Sequence, residues 1–398
     1  MDRWDLAVIG GGALGVATAY YAARRGVSVV VLEDGPIPGT EASSAGTERQ
    51  WRIQYAQQDL TALTLTALRL WRQLETESGR HLLHSTGSLW FGDVKAQSTE
   101  GQIAAAQQNL DALGVAYEWL NARQIERRFG FGGLPAQYEG LFQPDGGVID
   151  VPSTLGALVG LARDRGVVFR ERTRVERLTS PTDGVELLTT SGTLHAARVV
   201  VAAGAFANEL LAPLGISLAM RYFEMTSMYF ALRTPALDLP TWFVFQQPTE
   251  EDSNLFYGFG RNPWAPGDLV RVAPVFETLP LDSPRDRTRT PNPRHIERTV
   301  AWVRAHMPML DPSALSPSTC IIGLPTDHHR QFFLGPLPGV AHGERIVVQA
   351  GGWAFKFVPV FGAALADLAL ECATPYDVAR FSLPRGGTGG PPPECDGK

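Results

Sequence analysis

Several residues in this chain have types and spacings that chemistry requires. Gly10, Gly12 and Gly15 fall in the order G-x-G-x-x-G, and an acid, Glu33, closes the following segment. Glycines so spaced permit a tight turn, approach of the backbone to a pyrophosphate and close helix–strand packing, while Glu33 would take ribose hydroxyls. Arg49 and Arg52 are three residues apart, so on a helical turn both project to one side, and a guanidinium can grip a carboxylate through two parallel hydrogen bonds. Lys356 stands between Phe355 and Phe357, just after Gly351, Gly352 and Trp353. A lysine there either snorkels to the surface or presents its charge to a ligand. Cys320, taken alone, reads as an inert core thiol, and Trp353 either fills a core gap or stacks on a flat ring. Glu100, taken alone, reads as a solvent-facing helix residue.

These residues need elements to hold them. An apolar strand (Trp4 to Ile9), the glycine turn, an alanine-rich helix ending at Gly26, and a second strand (Val27 to Leu32) make one complete dinucleotide-binding unit, for either FAD or NAD. A Gly/Pro/Ser/Thr-rich loop (Gly35 to Thr47) leads to the two arginines. An amphipathic helix follows, with Leu60, Leu63, Ala67, Trp71 and Leu74 on its apolar face and Gly79 at its end. Strand periodicity returns at Ser85 to Gly92. A turn cluster at Gln143 to Gly147 precedes a helix with Leu155, Leu158 and Leu161, then the strand-rich stretch Val167 to Leu188. Arg198 to Gly204 reads as a buried strand entering a glycine turn. Strand candidates recur at Tyr222 to Leu232 and Asn254 to Phe259, prolines crowd Pro274 to Pro317, and a strand (Arg345 to Ala350), the lysine loop and a helix (Val360 to Glu371) follow. The fold class expected is α/β (α+β): a Rossmann-type domain of 1–84, 145–215 and 319–385, interwoven with a second domain of 85–144 and 216–318 on a mainly antiparallel sheet. A tail without fixed structure, 386–398, follows, and the site is expected in the crevice between the domains.

At 398 residues, two domains are the natural prior. The net charge of −6 and the lack of a lysine-rich block argue against a nucleic-acid partner. No uncharged run is long enough to span a bilayer and no apolar signal region precedes the first strand, so the expectation is a cytoplasmic protein with no membrane partner. Three cysteines (Cys320, Cys372, Cys395) at wide spacing support neither a disulfide framework nor a zinc site, and His328 and His329 lack further ligands at metal spacing, so no metal is expected.

The glycine fingerprint, the segment Gly46-Thr47-Glu48-Arg49-Gln50-Trp51-Arg52, Cys320 and the Gly351 to Lys356 loop resemble the monomeric sarcosine oxidase family of flavin amine oxidases. Within it the likeness is greatest to the branch that oxidises piperideine-2-carboxylate in nikkomycin biosynthesis. The stretches that carry it are Gly87 to Asp93, Ile125 to Phe131, Phe256 to Gly260 and Gly352 to Phe357, and the likeness extends to about residue 380. The resemblance implies FAD, bonded through its 8α carbon to the sulfur of Cys320. It implies Arg52 at the substrate carboxylate, Arg49 at the flavin ring region, Lys356 beside the flavin for oxygen activation and sharing the carboxylate, Trp353 stacked on a conjugated ring, and Glu100 as a polar or acid/base group near the ring nitrogen. The implied reaction takes piperideine-2-carboxylate, a carboxylate-bearing cyclic amine, toward picolinate, with molecular oxygen reduced to hydrogen peroxide. A sarcosine or pipecolate oxidase is the alternative of the same class; an NAD-dependent dehydrogenase or a non-catalytic flavin-binding protein are those of another. One departure stands out: Val275 occupies a position where the piperideine-carboxylate branch has an acid, which bears on proton handling.

Overall fold

The computed structural model describes residues 3–39, 43–98, 100–233, 238–249, 254–264, 267–274, 280–313, 315–327 and 330–384. Val275, His328, His329, Cys395 and the tail 386–398 lie outside them.

The fingerprint unit forms β1 (Arg3–Ile9), α1 (Ala13–Ala23) and β2 (Val29–Leu32). All four residues of β2 are buried, as β-branched and leucine side chains are when a strand is covered on both faces. The alanines of α1 leave it slender enough to be buried on nearly every side. There follow β3 (Glu48–Trp51) and α2 (Gln58–Ser78), whose Leu60, Leu63, Ala67, Trp71 and Leu74 are buried and which Gly79 ends in the left-handed conformation. Next come β4 (Leu83–His84), β5 (Ser88–Gly92), α3 (Ile103–Ala112), β6 (Glu118–Asn121), α4 (Ala122–Phe129), β7 (Glu139–Gln143), β8 (Gly147–Asp150) and α5 (Val151–Arg163). The Asp150 side chain caps α5 by accepting from the Ser153 amide at 2.9 Å. The middle of the chain holds β9 (Val168–Arg170), β10 (Val175–Thr179), β11 (Val185–Thr189), β12 (Gly192–Val201), α6 (Ala207–Leu211), β13 (Met220–Ala231), β14 (Thr241–Phe245), β15 (Phe256–Gly258), β16 (Leu269–Pro274), β17 (Pro280–Leu281), α7 (Pro293–His306) and β18 (Leu315–Pro325). β19 (Phe333–Pro336), β20 (Ile346–Ala350), a 3₁₀ turn (Ala354–Phe357) and α8 (Val358–Glu371) complete it.

Three sheets result. In the first, β9, β2, β1, β12 and β20 lie side by side and parallel, with β19 and the β10–β11 hairpin added antiparallel. The second runs β17-β13-β16-β15-β14-β5-β7-β6 with β18 also on β13, and is antiparallel except at the β14–β5 pair. The third is small: β3, β8 and β4. One apolar cluster joins the two large sheets, from Leu6 and Val31 through Trp71 and Phe357 to Phe243 and Phe245. Each fully buried side chain of this size is worth roughly 1.5–3 kcal/mol, so the two sheets are framed rigidly around what lies between them. No described helix is long and apolar enough to cross a membrane.

Candidate active site

Between the two large sheets lies a cavity with about 1240 Å³ of space, part of it open to solvent. Its walls include Gly12, Ala13 and Leu14, Arg49 and Arg52, Glu100, Arg271, Cys320 and the run Gly351 to Lys356.

At one end is the glycine turn. Gly10 has φ +111°, and a Cβ there would meet the Ala202 carbonyl oxygen at 2.5 Å; at Gly15 it would lie 1.9 Å from the Gly10 oxygen. No side chain fits at either position, so the loop can only be this tight with glycine. Gly12 precedes α1 without a side-chain cap of its own, and the Ala13 amide donates to Ser44 Oγ at 3.1 Å. The N-terminus of α1 therefore opens on the cavity with its positive dipole end. Glu33 accepts from the Gly11 amide at 2.7 Å and the Gly35 amide at 3.0 Å, fixed at the tip of β2. Gly10, Gly15 and Glu33 stand behind the wall and shape it. A bare cradle, a helix N-terminus and a terminal acid fit a dinucleotide.

The second end holds charge. Arg49 and Arg52 are not on a helical turn: β3 pairs antiparallel with β8, Arg49 lies within it and Arg52 just beyond. In a strand, side chains alternate, so positions three apart leave on opposite faces. The two arginines meet the same cavity because Arg49 folds back, donating to the Glu48 carbonyl at 2.7 Å and the Ser43 carbonyl at 2.6 Å and also to that of Ala45, whereas Arg52 turns inward and is 2% exposed. Glu100 is not a solvent-facing helix residue either. It sits in the turn before α3, is 6% exposed, and accepts from Arg52 Nη2 in a buried ion pair. Burial works against the charge on Arg52, but the neighbouring Glu100 carboxylate prevails and holds its pKa above the ordinary value. Arg52 Nε is buried without a partner among the described residues.

Lys356 does not snorkel. It lies in the 3₁₀ turn, 6% exposed, with Nζ donating to the Trp353 carbonyl at 3.2 Å. Trp71 Nε1, from α2, donates to the Lys356 carbonyl at 2.9 Å and so anchors the turn to the core. Burial, and secondarily the Arg52 charge, brings the Lys356 pKa down to about 7, with Glu100 pulling the other way. Trp353 and Gly352 line the cavity beside it, and Trp353 is half-buried.

Cys320, a half-buried free thiol, lies on β18 opposite Met225 of β13, and both residues line the cavity. Around it are residues that sequence reasoning had not singled out. Arg271 on β16 lines the same wall and pairs with Glu48 at 3.3 Å. Glu48 is fully buried and also accepts from Thr47 Oγ1 and from the Tyr229 hydroxyl at 3.1 Å. Arg271, Arg49, Tyr257 and Cys320 all lie within electrostatic reach of one another. The available signal was a lone charge within an apolar strand, Val270-Arg271-Val272, and an acid beside Arg49. Tyr55, which carries no motif, lies with 2% exposure beneath Arg52. Among the described residues no cluster of three or more His, Cys, Asp and Glu could hold a metal.

Residues 5–368 match the family described as DAO, FAD dependent oxidoreductase. The chain is 29% identical to peroxisomal sarcosine oxidase of Homo sapiens over 96% of both chains. It is 32% identical to a putative bifunctional amine oxidase of Dictyostelium discoideum, matching 97% of itself but spanning only 37% of that relative's length. Among solved structures, the open form of NikD, an unusual amino acid oxidase essential for nikkomycin biosynthesis, superposes with a TM-score of 0.92 at 49% identity, over 96% of this chain and 98% of that one.

Proposed function

The chain belongs to the FAD-dependent oxidoreductase family, as an amino acid or amine oxidase of the sarcosine oxidase and NikD type, and from that premise we propose that it oxidises piperideine-2-carboxylate toward picolinate, in secondary metabolism. When bound, FAD supplies the two-electron acceptor for a substrate C–H bond and passes the electrons to dioxygen, giving hydrogen peroxide. Full aromatisation removes four electrons, so a second oxidation, enzymatic or spontaneous, follows the first.

The observation that carries this reading is the convergence of Arg52 and Lys356, both buried, on a cavity shared with Cys320 and the N-terminus of α1. Two buried cations with one acid between them leave room for one further negative charge, and a carboxylate supplies it. Arg52 and Lys356 hold the carboxylate, and Glu100, already tied to Arg52, orients or takes the proton of a ring nitrogen. Trp353 offers a flat face to a conjugated ring. At the far end, Gly10, Gly12, Gly15 and Glu33 would hold the dinucleotide, Gly352 would let the backbone near the ring system, and Cys320 would be the residue that tethers it through the 8α carbon. The protonated form of Lys356 assists oxygen reduction when no carboxylate occupies it; Arg49 and Arg271 keep their charge near Cys320 throughout.

The test is an absorption spectrum of the purified holoenzyme under anaerobic conditions. Piperideine-2-carboxylate is expected to bleach the flavin band faster than sarcosine, pipecolate or proline. Faster bleaching by sarcosine would place the chain with the ordinary secondary-amine oxidases, and no bleaching by any of them would remove the reading.

A further inference from the structure

Arg52 is boxed by aromatic rings. Its guanidinium carbon lies 4.7 Å from the Tyr55 ring centroid and 5.1 Å from those of both Trp90 and Phe243. Lys356 Nζ lies 5.9 Å from the same Tyr55 centroid. Among the described residues Tyr55 is the one ring recorded against both cations. It is held firmly: its carbonyl accepts from Asn109 Nδ2 at 3.0 Å and from Thr61 Oγ1 at 3.4 Å, and its ring lies 5.9 Å from that of Phe357.

Two like charges side by side in a buried pocket repel, and Glu100 forms its ion pair with Arg52 only. Lys356 Nζ has the neutral Trp353 carbonyl as its hydrogen-bond partner. A tyrosine face carries the negative part of the ring quadrupole and attracts a cation within about 6 Å of its centroid, most strongly where water is excluded. Among the described residues, the charged groups acting on both Tyr55 and Lys356 are Arg52 from the end of β3 and Glu100 from the turn before α3. We propose that Tyr55 is a positioning residue whose ring face holds Arg52 and Lys356 next to each other as charged groups, so that one carboxylate engages both. The assignment rests on the reading of this cavity as a carboxylate-binding oxidase site.

Tyr55 also acts on Arg52 electrostatically, so ring face and hydroxyl must be separated. The experiment is titration of the holoenzyme with 2-furoate, a flat carboxylate without a titrating ring nitrogen, followed by the visible flavin spectrum from pH 6 to 9 for wild type, Tyr55→Phe and Tyr55→Leu. Tyr55→Phe keeps the face and is expected within about threefold of wild type. Tyr55→Leu loses it, and is expected to bind about tenfold more weakly at neutral pH, with the onset of weakening moved to lower pH, because the protonated lysine has lost its partner. A residue that only fills space would change affinity without moving that onset. Should Tyr55→Leu fail to fold, a ring-fluorinated phenylalanine at position 55 keeps the shape, removes the negative face, and must reproduce the shift. If wild type does not bind 2-furoate, the carboxylate reading itself fails. If wild type binds and the face-deleted protein binds equally, or if Tyr55→Phe loses as much as Tyr55→Leu, the role assigned to the ring face is overturned.

Discussion

Carboxylate binding should depend on pH through Lys356. Its pKa in the carboxylate-free pocket is brought down to about 7, first by burial and then by Arg52. A carboxylate needs the protonated lysine, and once bound it raises that pKa, so above pH 7 binding must bring a proton with it. The apparent Kd then climbs toward tenfold per pH unit. Between pH 7 and 9 the protonated fraction of such a lysine falls from about one half to about one hundredth, which weakens binding by about 50-fold, or about 2.3 kcal/mol. Lys356→Met retains volume and removes the charge, so its Kd for 2-furoate should be flat over this range and higher at pH 6 by about 1.5–3 kcal/mol, the worth of a hydrogen bond to a charged group. The unliganded protein offers a second reading of the same group. Between about 7 and the ordinary lysine value of 10.5 the unfolded chain carries a proton that the folded chain does not, so Lys356 makes stability rise with pH across that window, and Lys356→Met should remove that rise. Flavin-perturbation titrations measure the first effect and denaturant melts the second. A wild-type Kd that moves less than about threefold between pH 7 and 9, or an equal slope in Lys356→Met, would refute the reasoning.

Cys320→Ser should leave flavin in the supernatant after acid precipitation while wild type keeps a yellow pellet; a colourless wild-type pellet would sink the covalent attachment and leave the FAD assignment standing. Gly15→Ala places a Cβ against the Gly10 carbonyl at 1.9 Å, so the fingerprint turn must open, and flavin content after purification should fall well below wild type. Glu48→Leu strands Arg271 without its buried partner, and should lower unfolding free energy by about 3–5 kcal/mol, measured by urea denaturation; a loss below 1 kcal/mol would mean that Arg271 finds another partner.

What could be read along the chain was what is local or periodic. The strand–glycine turn–helix–strand unit, the apolar face of α2 with its terminal glycine, and β20 leading into the lysine loop all announce themselves within a few residues, and the structure has them where the spacing put them. The proline-rich stretch hid α7, because Pro293 in its first turn, with Asn292 capping the Arg294 amide at 3.0 Å, is a helix start and not a break. The three-residue spacing of Arg49 and Arg52 suggests a helical turn, but four residues between a glycine loop and a helix carry no period of their own, and only pairing with β8 makes them a strand. The Arg52–Glu100 and Arg271–Glu48 pairs were invisible for a simpler reason. Their members are far apart in sequence, and burial of the acids comes from the other sheets. The NAD-dependent alternative that the fingerprint alone left open falls with the family match, which is to FAD-dependent enzymes.

The two charged groupings follow one design. At the Lys356 end, Glu100 binds Arg52, and the second cation, Lys356, is left with a neutral carbonyl. At the Cys320 end, Glu48 binds Arg271, and the second cation, Arg49, is left with the carbonyls of Ser43, Ala45 and Glu48. A buried cation without a counter-charge is costly, and a backbone carbonyl offsets only part of that cost. With Lys356 protonated, each end thus has one positive charge in excess. With one such position at each end, a cavity between two sheets would suit a carboxylate at one end and, separately, a ring system that gains negative charge at the other. The separation matters because a single shared cation could not serve both: neutralised by the carboxylate, it would have nothing left for charge that appears only during reaction.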